Sequence, residues 1–474
     1  MHGVVKLFSL FVALSTAPVL FAQTTAPTHV SVAIKGLKMD TAYLGYHYGG
    51  QFHTIDSTRV DTTNGHFSFS RAGLQAGLFY VAAPNGRFFD FVIDQPGTSY
   101  RFEGSVEHPD SLRALNSAEN EAFFAYQRKR RAALDAIRAQ EEMFNLLRQA
   151  TKDTRVLKEA EFKNTALYRS LDSLAEQQIS LHPDHLYPKM LAGARLPKPP
   201  KKMHAVVQGR LAPEYVSWVR LHYWDNTRFA DTFLLRSDVW PQYFNDFFAR
   251  WVHPMPDSAA ADIDRMLARM PKNKSFYQYV VVELTKAYES SQRPGADRLF
   301  VHLVDRYQKI KETPWLDEPT LLRLAAKANF HRPNLTGNPA PPLSLVDKDG
   351  ATVSLQGLTA PFTLLIFYSP LCHHCMDVMP GIYATWQKYE PKGLKALAVS
   401  TDDQYAYWKN FIAQQKWNWI DVADPTKKNV FIEAFSAYNL PVIYLLDKNK
   451  KIMWKRVPIE QLESVLARVL VARG

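Results

Sequence analysis

The stretch from Phe362 to Pro380, FTLLIFYSPLCHHCMDVMP, constrains this chain more than any other. Phe362 to Phe367 is an unbroken apolar run, with the length and character of a strand buried on both faces. Met376, Met379, Ile382 and Tyr383 then recur at helical spacing. Between the two patterns lie Cys372 and Cys375, the only cysteines in 474 residues. A strand that ends in Cys-x-x-Cys at a helix start sets both sulfurs beside backbone N–H groups with no partner inside the helix. The positive end of the helix dipole favours a thiolate there, and the thiolate is the species that attacks disulfides. The pattern predicts a dithiol that cycles with a disulfide.

The rest of the chain narrows the setting. A length of 474 residues exceeds what one core supports, so several domains are expected. The apolar fraction of 46% and charged fraction of 22% are those of a globular protein. A net charge of +11 raises the question of nucleic acid, but the basic residues are spread out. Their densest run, Arg128 to Arg131, falls in a helical pattern and reads as a solvated face, so no nucleic-acid partner is expected.

Residues 1–22 read as a secretory signal, with Lys6 before an apolar stretch from Leu7 to Phe21. That stretch is short for a bilayer span and holds Ser15, Thr16 and Pro18, so cleavage is expected and no membrane contact after it. The expected location is the periplasm or cell envelope. In such an oxidising compartment one closely spaced cysteine pair is a poor structural staple, because closing so short a loop constrains the unfolded chain little.

Taken in order, residues 28–105 alternate as short strands and predict a small antiparallel β-sandwich. Asn64-Gly65, between Ser57–Asp61 and His66–Ser70, predicts a hairpin. Residues 116–330 predict an all-helical middle domain, opened by a capping box at Asn116 and Glu119. Tyr126, Leu134, Ile137, Phe144 and Leu147 form one stripe of its first helix, and the Trp and Tyr residues further on read as core. Pro333 to Pro342 reads as a linker. Residues 333–474 alternate strand and helix, as a three-layer α/β domain does. The fold class is multidomain α+β.

Several chemistries could use the pair. A zinc site needs two further ligands, and no second cysteine pair exists. A copper site with a distal histidine finds none after His374. A peroxiredoxin motif would put proline at Leu365, although Ser369 fits its hydroxyl position. No metal site is predicted, and no cofactor beyond a redox-active Cys372–Cys375 disulfide. Cys372, nearer the helix start, is expected to attack, and Cys375, one turn inward, to resolve the mixed disulfide. His373 and His374 between them would stabilise a thiolate and make the pair a better oxidant, by roughly 30 mV for each tenfold.

The last ~140 residues resemble the TlpA/ResA/DsbE branch of the thioredoxin superfamily. Gly337-Asn338-Pro339-Ala340-Pro341, Pro380 five residues after Cys375, and Phe435 to Pro441 (FSAYNLP) carry the resemblance. It implies a thioredoxin fold, a cis-proline at Pro441 beside the cysteines, and a Leu440 backbone that pairs with an incoming peptide. His374 joins Cys372, Cys375 and Pro441 as an expected catalytic residue, and His373 and Leu440 are expected to meet substrate. Val378 and Ile366 stand where relatives carry proton-handling carboxylates, which leaves His374, Asp377 or water to deprotonate Cys375. The layout of leader, sandwich, helical middle and thioredoxin-like end is similar to envelope proteins of Gram-negative bacteria. The chain is thus expected to be an exported thiol:disulfide oxidoreductase of envelope proteins, mainly reductive, fed by a membrane electron donor. A binding or adaptor protein with a passive thioredoxin-like module is the alternative.

Overall fold

Alternation in the first hundred residues becomes two sheets. The computed structural model describes residues 26–471, apart from 85, 208–209, 292, 310–312 and 427. The leader expected over residues 1–22 lies outside the described residues. β1 (Thr28–Lys35) turns Val30, Val32 and Ile34 inward. β2 (Thr41–Tyr48), β3 (Gln51–Arg59), β4 (His66–Arg71), β5 (Gly77–Ala83), β6 (Gly86–Ile93), β7 (Ser99–Ser105) and β8 (Arg113–Ala114) follow. They form two four-stranded sheets, β4-β1-β7-β8 and β3-β2-β5-β6. Across the sandwich Phe91 of β6 meets Phe102 of β7 at 5.0 Å between ring centroids. Pairing is antiparallel except between β1 and β7.

The hairpin expected at Asn64-Gly65 is a corner instead. Gly65 sits at φ 71°, and a Cβ there would lie 1.9 Å from the Ile34 carbonyl oxygen, so only glycine fits. A single bridge, Asp61 to His66, forms before the strands part into different sheets. β4 follows the sheet of β1 because Phe67 and Phe69 are buried there.

α1 (Ala118–Ala150) is capped by Ser117, whose hydroxyl accepts from Asn120 N–H at 3.2 Å. The cap expected at Asn116 is displaced by one residue, because the Asn116 amide is used by β7: it accepts from Arg101 N–H and donates to the Ser99 carbonyl. Glu119 instead accepts from the backbone N–H groups of Leu186 and Tyr187. Those two residues open α3 (Leu186–Gly193), which follows α2 (Thr154–Leu181). A two-residue pair, β9 (Val206–Val207) with β10 (Arg210–Leu211), interrupts the helical region. Then come α4 (Pro213–His222), α5 (Trp240–Asp246), α6 (Pro256–Ala268), α7 (Ser275–Ser290), α8 (Ala296–Tyr307) and α9 (Glu318–His331). Trp224, Trp240 and Phe276 are buried ring on ring, as core. Among the described residues no helix is long and apolar enough to cross a membrane.

The chain divides into two compact units: residues up to Val252 with Asp264–Tyr279, and His253–Ile263 with the residues from Val280 onward. The second unit holds the C-terminal sheet. After a hairpin of β11 (Ser344–Val346) and β12 (Thr352–Ser354) come β13 (Phe362–Tyr368), α10 (His373–Tyr389), β14 (Leu394–Ser400) and α11 (Tyr405–Gln414). β15 (Ile420–Val422), α12 (Phe431–Ala434), β16 (Val442–Asp447), β17 (Ile452–Lys455) and α13 (Ile459–Val471) complete it. The strand order is β15-β14-β13-β16-β17, so the cysteine strand is central. Leu364, Ile366 and Tyr368 join one buried cluster with Met379 of α10 and Leu466 of α13. Leu365 and Phe367 join the cluster on the opposite face, which is why the run is apolar without alternation. The Pro-rich linker is not free chain: Gly337 and Ala340 donate to the carbonyls of Ile452 and Lys450 along the sheet edge. An edge position tolerates the intervening Pro339, whose missing N–H is not needed there.

Candidate active site

β13 ends at Tyr368, and four residues later Cys372 caps α10. Its sulfur accepts from the Cys375 N–H at 3.2 Å, and its own N–H donates to the Ser369 carbonyl at 3.1 Å. Both thiols are free; Cys372 is half-buried and Cys375 fully buried. Burial pushes the Cys375 thiol up to about 12, helped by its hydrogen bond with Cys372 and by the charges of Cys372 and Asp402. A backbone N–H from Ser369 works the other way.

The Leu440–Pro441 peptide bond is cis. Leu440 and Cys372 both pack, partly buried, on the apolar cluster that contains Cys375. The loop leading to Pro441 is tied down from the end of α9 and from the residues just after α9 and β17. Ser436 Oγ donates to the Phe330 carbonyl at 2.7 Å, and Asn334 donates to the Ala434 carbonyl at 3.0 Å. Arg456 donates to the Ser436 and Tyr438 carbonyls at 2.8 and 2.9 Å. Ser436 and Asn439 have φ of 48° and 56°, left-handed values.

Residues 336–455 match the AhpC/TSA family. This segment is an AhpC/TSA-family thioredoxin-like domain. Residues 204–334 match a domain of unknown function, DUF5106. The chain is similar to a thiol-disulfide oxidoreductase ResA of Bacillus cereus, 29% identical over 136 residues, 28% of this chain and 78% of that protein. Among solved structures, a thioredoxin-like protein from Bacteroides caccae is 22% identical, covering 56% of this chain and 98% of that one, at a TM-score of 0.38. A domain of a possible thiol-disulfide isomerase from Cytophaga hutchinsonii is 32% identical, covering 29% and 95%, at a TM-score of 0.27.

Within the thioredoxin-like domain the two histidines face solvent. The His373 side chain is 94% exposed, its Nδ1 lying 3.8 Å from Asp377 one turn along the helix, and His374 is exposed as well. Sequence reasoning missed Asp402 and Asp421, which accept hydrogen bonds from Ser369, in the cysteine loop, and Tyr368, at the end of β13. Ser369 Oγ donates to the Asp402 carboxylate, 2.8 Å from each oxygen. Burial raises the Asp402 carboxyl, with Asp403 alongside, against hydrogen bonds from Ser369 and Leu371 N–H. Asp421 is buried and pushed up to about 7, while it accepts from Tyr368 Oη and Trp419 Nε1, each at 2.7 Å. The available signal was a carboxylate just after the apolar run of β14 and another inside the short apolar run of β15.

Proposed function

We propose that this chain is an exported thiol:disulfide oxidoreductase of envelope proteins, with Cys372 attacking and Cys375 resolving. The observation that carries this is the pairing of a half-exposed Cys372 sulfur at the helix start with a buried Cys375 one turn inward, its N–H aimed at that sulfur. Cys372, at the helix start and open to solvent, is the sulfur that attacks a disulfide and the one attacked in turn by Cys375. A substrate disulfide attacked by Cys372 gives a mixed disulfide and releases one substrate thiol. Cys375 then attacks Cys372, forms the internal disulfide and releases the second substrate thiol. The likeness of the thioredoxin-like domain to a protein named thiol-disulfide oxidoreductase ResA supports the dithiol chemistry, and in this reading the reaction runs in the reductive direction with electrons supplied by a membrane donor. In this reading Leu440, before Pro441, offers backbone groups to an extended substrate segment.

The test is trapping with Cys375→Ser in the full chain. Mixed disulfides with envelope proteins should accumulate on Cys372 and disappear on reduction. Their absence, with wild-type chain inert in an insulin-reduction assay, would favour the adaptor reading instead.

A further inference from the structure

α1 packs on β6 and β8 and buries Phe123 and Phe124. The Phe124 ring meets Phe102 of β7 at 5.9 Å and Phe89 of β6 at 6.3 Å between centroids. One turn on, the same stripe of the helix carries Gln127, Arg128 and Arg131 instead of apolar side chains. A cleft of about 520 Å³ is left there, between α1, β6 and the chain that follows β7. Its volume is that of a small-molecule site. Phe88, Phe89, Phe124 and Leu112 give it an apolar lining. Phe88 and Val106, both lining residues, stay 38% and 43% exposed, apolar surface that an apolar ligand would take out of water. Of the basic run at 128–131, Arg128 and Arg131 line the cleft, while Lys129 stands in solvent. Arg87, also at the cleft, is taken up by Asp90 at 3.3 Å and by the face of Phe52 at 4.4 Å. Arg131 pairs with Asp110 at 3.4 Å, but both side chains are well exposed and such a pair yields at little cost. Arg128 has no carboxylate partner among the described residues. Its Nη1 meets the carbonyls of Asp110 and Leu112 at 3.5 and 3.4 Å. A guanidinium so placed is matched by a carboxylate, which it binds through two parallel hydrogen bonds.

We propose that this cleft binds an amphipathic anion, its apolar body against Phe88, Phe89 and Phe124 and its carboxylate on Arg128. An uncharged apolar ligand would leave the Arg128 guanidinium without an anion. A nucleic acid would meet phenylalanine rings and the carboxylates of Asp90 and Asp110. The site is separate from the dithiol chemistry: its lining residues all belong to the first compact unit, and Cys372 and Cys375 to the second.

The experiment titrates octanoate into the full-length chain by isothermal calorimetry, beside octanol, which lacks the charge, and propionate, which lacks the body. Octanoate should bind once per chain, and each of the other two about tenfold more weakly or worse. Arg128→Gln should weaken octanoate by about the same factor and leave octanol unchanged. Phe88→Glu, at an exposed position, should weaken both. Octanoate that does not bind, or that binds both variants as it binds wild type, overturns the inference. So does octanol that binds wild type as tightly as octanoate does. If Arg128→Gln fails to fold, the octanol comparison and Phe88→Glu still decide. Co-sedimentation with phosphatidylglycerol vesicles, lost in Phe88→Glu, would place the amphiphile in a bilayer. A chain that binds octanoate and stays in the supernatant takes a free acid.

Discussion

Lys455 Nζ lies 2.6 Å from Asp297 Oδ2, with each side chain only 9% exposed. Burial works to raise the Asp297 carboxyl, but the Lys455 ammonium and the Thr336 N–H outweigh it and hold it below the ordinary carboxylate range. The pair ties α8, in the helical stretch, to β17 at the edge of the thioredoxin-like sheet.

Removing one partner strands the other charge in low dielectric. Asp297→Ala should lower the unfolding free energy by about 3–5 kcal/mol in urea titration. Asp297→Leu combined with Lys455→Met should lose much less, because no buried charge is left over. Equal losses in the two variants would show that the pair is not what is felt.

His331 Nδ1 is 3.3 Å from the same ammonium. Burial first, then Lys455, lowers its pKa to about 4. The unfolded chain therefore binds a proton that the folded one refuses between about pH 6.5 and 4. Stability should fall as pH is lowered through that window, and His331→Gln should flatten the slope in pH-dependent thermal melts.

Asp421 has the opposite sign. Its folded pKa of about 7 exceeds that of a free carboxyl, so the stability tied to its protonated form is complete below about pH 4. That stability is lost as pH rises through 7. Asp421→Asn should remove this decline between pH 4 and 7, measured against wild type at each pH.

The two cysteines should differ sharply in reactivity. At pH 8, iodoacetamide should add once per folded chain, at half-exposed Cys372. Cys375, fully buried with its thiol pushed up to about 12, should react only after denaturation. Peptide mapping that found Cys375 labelled first would reverse the assigned roles.

The sequence predicts that the paired histidines tune the couple, whereas the His373 side chain stands 94% exposed beside Asp377. Water and salt screen a charge in that position. His373→Ala should shift the reduction potential by less than about 30 mV, a tenfold change in the equilibrium. A larger shift in glutathione titration would restore the sequence-based expectation.

Local pattern was enough for the C-terminal strand and helix order and for the placing of Cys372 and Cys375 around a helix start, because each depends on neighbours within a few residues. The apolar run of β13 announced a central strand for the same reason: a strand covered on both faces cannot alternate. What the sequence by itself determined, then, was the dithiol at its helix and the class of fold that presents it. Only the tertiary structure decided that Asn64-Gly65 turns a corner, that Gly337 to Ala340 lies along a sheet edge, and that Asp402 and Asp421 accept hydrogen bonds from Ser369 and Tyr368. Those outcomes depend on which distant strand becomes a neighbour. A carboxylate 30 residues away acquires its proton affinity from burial and partners that exist only once β14 and β15 have paired beside β13.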